Sequence, residues 1–183
     1  MEQFGEYRIS AARAMVWEGL NDPDVLGRCI QGCLSMERTS DEQFDASVKA
    51  KVGPVSATFQ AQLMLSEIDA PSSYTLTANV KGGAAGFGKG TAKVSLLEDG
   101  ASTLLRYQVS ANVGGKLAQV GSRLIDAAAR KMADDFFAEF GREVGGAEPE
   151  ALAAVAEAPV AGGRWKIWVA VAAIVVIILL LMV

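Results

Sequence analysis

Val55-Ser56-Ala57-Thr58-Phe59-Gln60-Ala61-Gln62-Leu63-Met64-Leu65 alternates without a break. Val55, Ala57, Phe59, Ala61, Leu63 and Leu65 fall on one face, and four of the five residues between them are polar. A period of two marks a strand with one face buried and one solvated, the habit of antiparallel sheets. The pattern returns with Tyr74, Leu76, Ala78 and Val80, then Ala92, Val94 and Leu96, then Leu105, Tyr107, Val109, Ala111 and Val113. Six or seven strands are expected, joined by Gly, Asp and Pro-Ser turns.

Around this sheet the period changes. Phe4 to Ser10 reads as an opening strand and Ala11 to Leu20 as a helix. Asp22 is placed to cap a second short helix with Pro23 at its first position. From Gly114 to Val144 the period is helical: Leu117, Val120, Leu124, Ala128, Met132, Phe136 and Phe140 form one apolar stripe over about eight turns. Ile125, Ala129 and Phe137 widen it, and Gly145-Gly146 ends it. So long a stripe must be buried, and the apolar face of the sheet is the only large partner. The fold class is α+β, with helices segregated from a curved antiparallel sheet that wraps the long C-terminal helix.

The facing positions are small: Ala57, Ala61, Ala78, Ala92 and Ala111 on the sheet, Ala128 and Ala129 on the helix. Two packings satisfy this. Either the layers approach closely, or they leave a hollow that a ligand fills. An empty void would cost about 24 cal/mol per Å³.

Composition narrows the chemistry. Of 183 residues, 51% are apolar, so the chain is not disordered as a whole. Net charge is -4, without the basic footprint of a nucleic-acid binder. Histidine is absent, which removes Ser-His-Asp and Cys-His nucleophiles and His-ligated metal sites. Cys29 and Cys33 alone make neither a disulfide framework nor a zinc site, and are expected as small buried residues. Gly83 to Lys89 fits the spacing of a phosphate loop. The Ser or Thr that should follow is Gly90, and the loop joins two strands. It is expected to be a hairpin loop, with Phe87 as a lip over a pocket. No catalytic pair announces itself.

The chain ends in 17 consecutive apolar residues, Ile167 to Val183. As a helix they would reach about 25 Å, short for a hydrocarbon core of about 30 Å but within the observed range. Trp165, Lys166 and Trp168 supply the aromatic and basic flank of a membrane anchor over 164–183. Arg164 and Lys166 place the folded part in the cytoplasm, at the cytoplasmic membrane. Residues 145–163 read as a flexible Ala/Glu/Pro/Gly linker with a reach of about 25 Å. Residues 1–144 form the folded domain. Lys116, Arg123 and Arg130, spaced by seven, with Lys131 adjacent, are expected to share a helix face. It is read as a solvated surface or as a docking stripe for an acidic partner or anionic lipid.

Two blocks carry a family resemblance. One is Arg13-Ala14-Met15-Val16-Trp17-Glu18-Gly19-Leu20-Asn21-Asp22-Pro23 with Cys29-Ile30-Gln31-Gly32-Cys33. The other runs from Val113-Gly114-Gly115-Lys116-Leu117 to Ala128-Ala129-Arg130-Lys131-Met132. Over about residues 1–144 the chain resembles the carbon monoxide dehydrogenase CoxG family, with Gln31 where that family has Pro. The resemblance implies the START-like (SRPBCC) helix-grip fold with an apolar cavity under the long helix. It implies an accessory protein and not an enzyme, with no covalent cofactor and with a bound quinone or lipid. It also implies that the protein brings a molybdenum CO dehydrogenase or related hydroxylase to the membrane, with no nucleic acid involved. Trp17, Phe59, Leu63, Leu76, Phe87, Tyr107, Leu124, Ala128 and Met132 are the nominated ligand-binding positions. A purely structural adaptor and a cyclase- or hydrolase-like enzyme remain as other readings.

Overall fold

The computed structural model describes residues 2–146 and 150–152. The elements run β1 (Glu2–Ile9), α1 (Arg13–Leu20), α2 (Pro23–Cys29), β2 (Cys33–Ser40), β3 (Gln43–Val52), β4 (Val55–Asp69), β5 (Ser73–Lys81), β6 (Phe87–Asp99), β7 (Ser102–Gly114), α3 (Ser122–Gly145) and β8 (Glu150–Leu152). Short 3-10 turns, Gly83–Ala85 and Leu117–Val120, lie between β5 and β6 and before α3.

One eight-stranded sheet holds the order β2-β3-β4-β5-β6-β7-β1-β8, with every neighbouring pair antiparallel. The alternation read for Val55 to Leu65 is the register of β4: Phe59, Ala61, Leu63 and Leu65 are buried, and Val55 and Ala57 half-buried near the hairpin. Asp22 caps α2 as expected, its Oδ1 accepting from the Asp24 and Val25 amides at 2.8 and 3.3 Å. Gly32, at φ +77°, turns α2 into β2, where a Cβ would meet the Lys49 carbonyl.

The long helix differs from the expectation in two ways. It starts at Ser122, not Gly114, because β7 runs on to Gly114 and Gly121, at φ 97°, breaks the path. The face against the sheet is also rotated. The buried line is Ile125, Ala129, Ala133, Phe136, Phe137, Phe140 and Gly141, while Leu124 is 55% exposed and Ala128 and Met132 lie on the flank. At 3.6 residues per turn a row spaced by four drifts about 40° per step, so Leu124 and Phe140 cannot both face the sheet.

In the segment expected as linker, Glu150–Leu152 pairs with Glu6–Arg8 and extends the sheet past β1. An open strand edge offers unpaired amides and carbonyls, and these three residues fill part of it. The membrane-anchor positions Trp165, Lys166 and Trp168 lie outside the described residues. Among the described residues no helix is long and apolar enough to cross a membrane.

β1 is fixed to α3 by its aromatic side chains. Tyr7 stacks on Phe137 with centroids 4.1 Å apart, and Tyr107 on Phe137 at 5.8 Å. Gly5 makes room for this, since a Cβ there would collide with the Tyr107 ring. Gly5→Ala is expected to destabilise the protein by about 1–3 kcal/mol through overpacking, measured by urea unfolding. An unchanged midpoint would show that the ring has space elsewhere.

Candidate functional site

The inner face of the sheet is graded along its length. One row crosses Tyr74, Val94, Tyr107 and Gly5, and beside it Tyr7 adds a third phenol. The next row is Leu65, Leu76, Ala92 and Val109. Then come Leu63, Ala78, Gly90 and Ala111, followed by Ala61, Val80, Gly88 and Val113. Aromatic side chains thus fill one end, while across β5, β6 and β7 the other end is lined by Ala78, Gly88, Gly90 and Ala111, with Phe44 and Phe59 bordering it on β3 and β4.

Helix α3 matches the gradient. Its C-terminal half brings Phe136, Phe137 and Phe140 to the aromatic end, and its N-terminal half brings Ile125 and Ala129 over the small end. The small end is rimmed by half-buried apolar residues, Val55, Ala57, Val113 and Val120. Val120 approaches the Gly53 hairpin, where a Cβ would lie 3.4 Å from its Cγ1. Gly82 closes against the Phe59 ring, which leaves no room for a Cβ.

The nominated positions divide. Phe59, Leu63, Leu76 and Tyr107 are buried on the inner face. Trp17 is half-buried, meeting the Tyr74 ring edge-on at 5.2 Å and 79°. Ala128 and Met132 flank the helix–sheet seam, and Leu124 points away from it. Phe87 is a correction: it lies on the outer face, 60% exposed, with its ring over Gly114. Its neighbour Gly88 takes the inward position, so strand parity turns Phe87 outward. The loop before it is a 3-10 turn between two strands, not a phosphate cradle.

Lys116, Arg123, Arg130 and Lys131 are all exposed. Lys116 precedes the helix and so does not share its face, and Lys131 pairs with Asp135. A groove of about 210 Å³ lined by Asp45, Gln60, Gln62, Asn79 and Lys81 follows the outward-facing positions of β3, β4 and β5, on the opposite side from the helix.

Among the polar features of the interior that escaped the sequence, two lie at the aromatic end. The Tyr7 hydroxyl donates to Asp134 Oδ1 at 2.6 Å, across 127 positions of chain. Burial, the neighbouring Tyr107 and Asp134 hold the Tyr7 phenol far above its ordinary value. Burial first, with Asp134 adding to it, pushes Tyr107 up to about 12. Both stay protonated near neutrality, and Tyr7, through Asp134, latches β1 to α3. The second feature is Tyr74. It is fully buried, burial raises its pKa well above 10.0, and its hydroxyl has no hydrogen-bond partner among the described residues. A buried polar group normally has one.

Cys29 is buried and its thiol is pushed up to about 12 by that burial, so it is not a nucleophile. Cys33 is half-buried, with its pKa also raised by burial. No cluster of metal-ligating side chains occurs among the described residues.

Residues 5–145 match the carbon monoxide dehydrogenase CoxG family. Among solved structures, a conserved protein from Geobacillus kaustophilus is 30% identical, with a TM-score of 0.74 over 79% of this chain and 95% of that one. A protein from Thermus thermophilus is 12% identical, at a TM-score of 0.60 over 79% and 97%. An aromatase/cyclase from Streptomyces sp. R1128 is 12% identical, at 0.59 over 79% and 93%. The latter two share the fold alone, and the architecture is START-like. No curated protein matches the chain.

The tyrosine latch predicts an alkaline limit. Folded Tyr107 keeps its proton to about 12 while an unfolded tyrosine loses it near 10.0. Above the lower value the unfolded state binds fewer protons, so unfolding free energy falls as pH rises from 10.0 through about 12. Tyr107→Phe is expected to flatten that fall in urea titrations across the window, and an unchanged slope would place its cause elsewhere.

Proposed function

The chain belongs to the carbon monoxide dehydrogenase CoxG family, and from that membership we propose that it is an accessory carrier bound to the cytoplasmic membrane. On this reading it takes an apolar ligand, a quinone, between α3 and the sheet. It also brings a molybdenum CO dehydrogenase-type enzyme to the membrane. The family description ties the chain to carbon monoxide dehydrogenase, and the ligand, membrane and recruitment steps are our reading.

The gradient on the inner face carries the proposal. Small apolar side chains at one end, Ala78, Gly88, Gly90 and Ala111, leave the space between helix and sheet to whatever enters past Val55, Val113 and Val120. Aromatic side chains stop it at the other end. An apolar molecule there is desolvated by about 25 cal/mol for each Å² it buries. Tyr74 adds a polar end stop. Its unpaired O–H needs an acceptor, and a quinone carbonyl supplies one. The molecule would then bind ring-first, with its apolar tail toward the small end.

The apolar run Ile167–Val183 and its Trp165, Lys166 and Trp168 flank support the anchor at 164–183. The residues between Leu152 and Arg164 would serve as the tether, beyond the strand that ends at Leu152. The folded domain would comprise the portion up to Leu152, including the strand that pairs with β1.

A second reading has one observation in its favour. Ala129 and Ala133 are completely buried, as they would be if helix and sheet simply close on each other. The protein would then be a tethering adaptor without a ligand.

Mass spectrometry of organic extracts from the full-length protein, purified from quinone-rich membranes, separates the two. The carrier reading expects quinone near one equivalent per chain. An extract without quinone or lipid supports the adaptor. Tyr74→Phe is expected to fold as well as the parent, since it removes an unpaired group, and to retain about fivefold less quinone. Equal retention would remove Tyr74 as the donor.

A further inference from the structure

Seven of the described cations make ion pairs. Arg8, Arg13, Arg28, Arg38, Arg106, Lys131 and Arg142 pair with Asp99, Glu98, Glu143, Asp41, Glu6, Asp135 and Glu139. Eight have no ion pair among the described residues, and six of those eight gather at one end of the molecule. Lys49 and Lys51 are on the last turns of β3 before the Gly53 hairpin. Lys81 and Lys89 flank the 3-10 turn between β5 and β6. Lys116 and Arg123 bracket the turn into α3. All six are exposed.

The opposite end is acidic. The turns there carry Asp41 and Glu42, Glu67 and Asp69, and Glu98 and Asp99, of which Asp41, Glu98 and Asp99 are paired with Arg38, Arg13 and Arg8, and α2 adds Asp22 and Asp24. A chain of net charge -4 therefore presents a strongly positive tip. The same tip holds two large exposed apolar side chains, Phe87 and Leu124, at 60% and 55%. It is also the small-residue end of the interior.

Strand β8 adds a direction. Glu150 pairs with Arg8 and Leu152 with Glu6, so after the helix the chain turns back along β1 toward the N-terminus of that strand. Glu2 pairs with Ser110, near the end of β7 that leads to the positive tip. Strand β8 thus runs toward the end of β1 nearest that tip, and residues 153–166 precede the apolar run in sequence.

We infer that the positive tip docks on an anionic lipid surface, with the lysines at the headgroups and Phe87 and Leu124 inserted below them. This deepens the membrane reading given above and rests on it for the occupant. Lysines and exposed aromatic or aliphatic side chains together suit a lipid interface, where each cation near the surface is attracted and the apolar groups are buried. The geometry keeps the acidic end out of reach. Helix α3 spans the two ends with 24 residues, about 36 Å, against a screening length of about 8 Å. The negative turns are thus screened from the membrane while the six cations lie against it. Docking this way sets the mouth of the interior on the bilayer, so an apolar ligand would pass between them without crossing water.

The test uses the full chain with vesicles of phosphatidylcholine, alone or with phosphatidylglycerol added. Flotation reads attachment, and hydrogen–deuterium exchange on the bound protein reads contact. Segments 49–58, 81–90 and 115–124 are expected to exchange more slowly on the anionic vesicles, while 66–73 and 97–103 do not change. Replacing Lys49, Lys51, Lys81 and Lys89 together by Glu is expected to abolish the protection. High salt should do the same to the parent, independently of how that variant folds. Equal exchange on both lipids, or protection of the acidic turns, overturns the docking. So does protection of the tip only by an added acidic protein. If the chain floats with both lipids and the tip is unprotected, the anchor stands and the docking fails. If it floats only with the anionic lipid and salt strips it off, the anchor fails and the docking stands.

Discussion

Everything in this protein depends on one contact, the burial of a single face of α3 in the concave sheet. Only side chains of graded size let a straight helix of 24 residues lie in a curved trough. Phe136, Phe137 and Phe140 fill the aromatic end, and the sheet replies with Tyr7, Tyr74 and Tyr107. Toward the other end the helix offers Ile125 and Ala129, and the sheet offers Ala78, Gly90 and Ala111. The helix is therefore held by aromatic packing at its C-terminal half, while nearer its start Gln3 Nε2 donates to the Asp126 carbonyl at 3.2 Å. Tyr7 to Asp134 is the polar part of the clamp and the stack on Phe137 the apolar part.

The small-residue end of the interior, the exposed Phe87 and Leu124 and the six cations without an ion pair among the described residues all occur at the opposite end, although they come from three separate hairpins and turns. Their coincidence is what the proposed carrier role and the proposed lipid docking both draw on. The alkaline titration of the clamp and the charge pattern of the tip report on opposite ends, so the two can be perturbed separately.

Much of the sheet was legible because burial imposes a period of two. β4 declares its inner face residue by residue, and the cap Asp22 with Pro23 declares α2 by local hydrogen bonding alone. The helix was legible as an element but not in its start or its rotation. Leu117 and Val120 carry helical spacing while belonging to a 3-10 turn, and a row spaced by four hides the drift away from the sheet. Phe87 could have been placed correctly: continuing the inward parity of Ala92 back to Gly88 sends it outward. Tyr7 with Asp134, and the unpaired Tyr74, had no local signal, because partners 127 positions apart meet only through the topology. β8 had none either, since its strand character is lent by the open edge of β1.

The central claim is that the small-residue end of the interior receives an apolar ligand. Its most direct test is methyl NMR of the full chain in nanodiscs, with alanine methyls labelled and a short-chain quinone titrated in. The account predicts that Ala61, Ala78, Ala111 and Ala129 shift together and saturably, while the exposed Ala70 and Ala101, at the opposite end, stay still. Shifts confined to the exposed methyls, or none at all at saturating quinone, would contradict it.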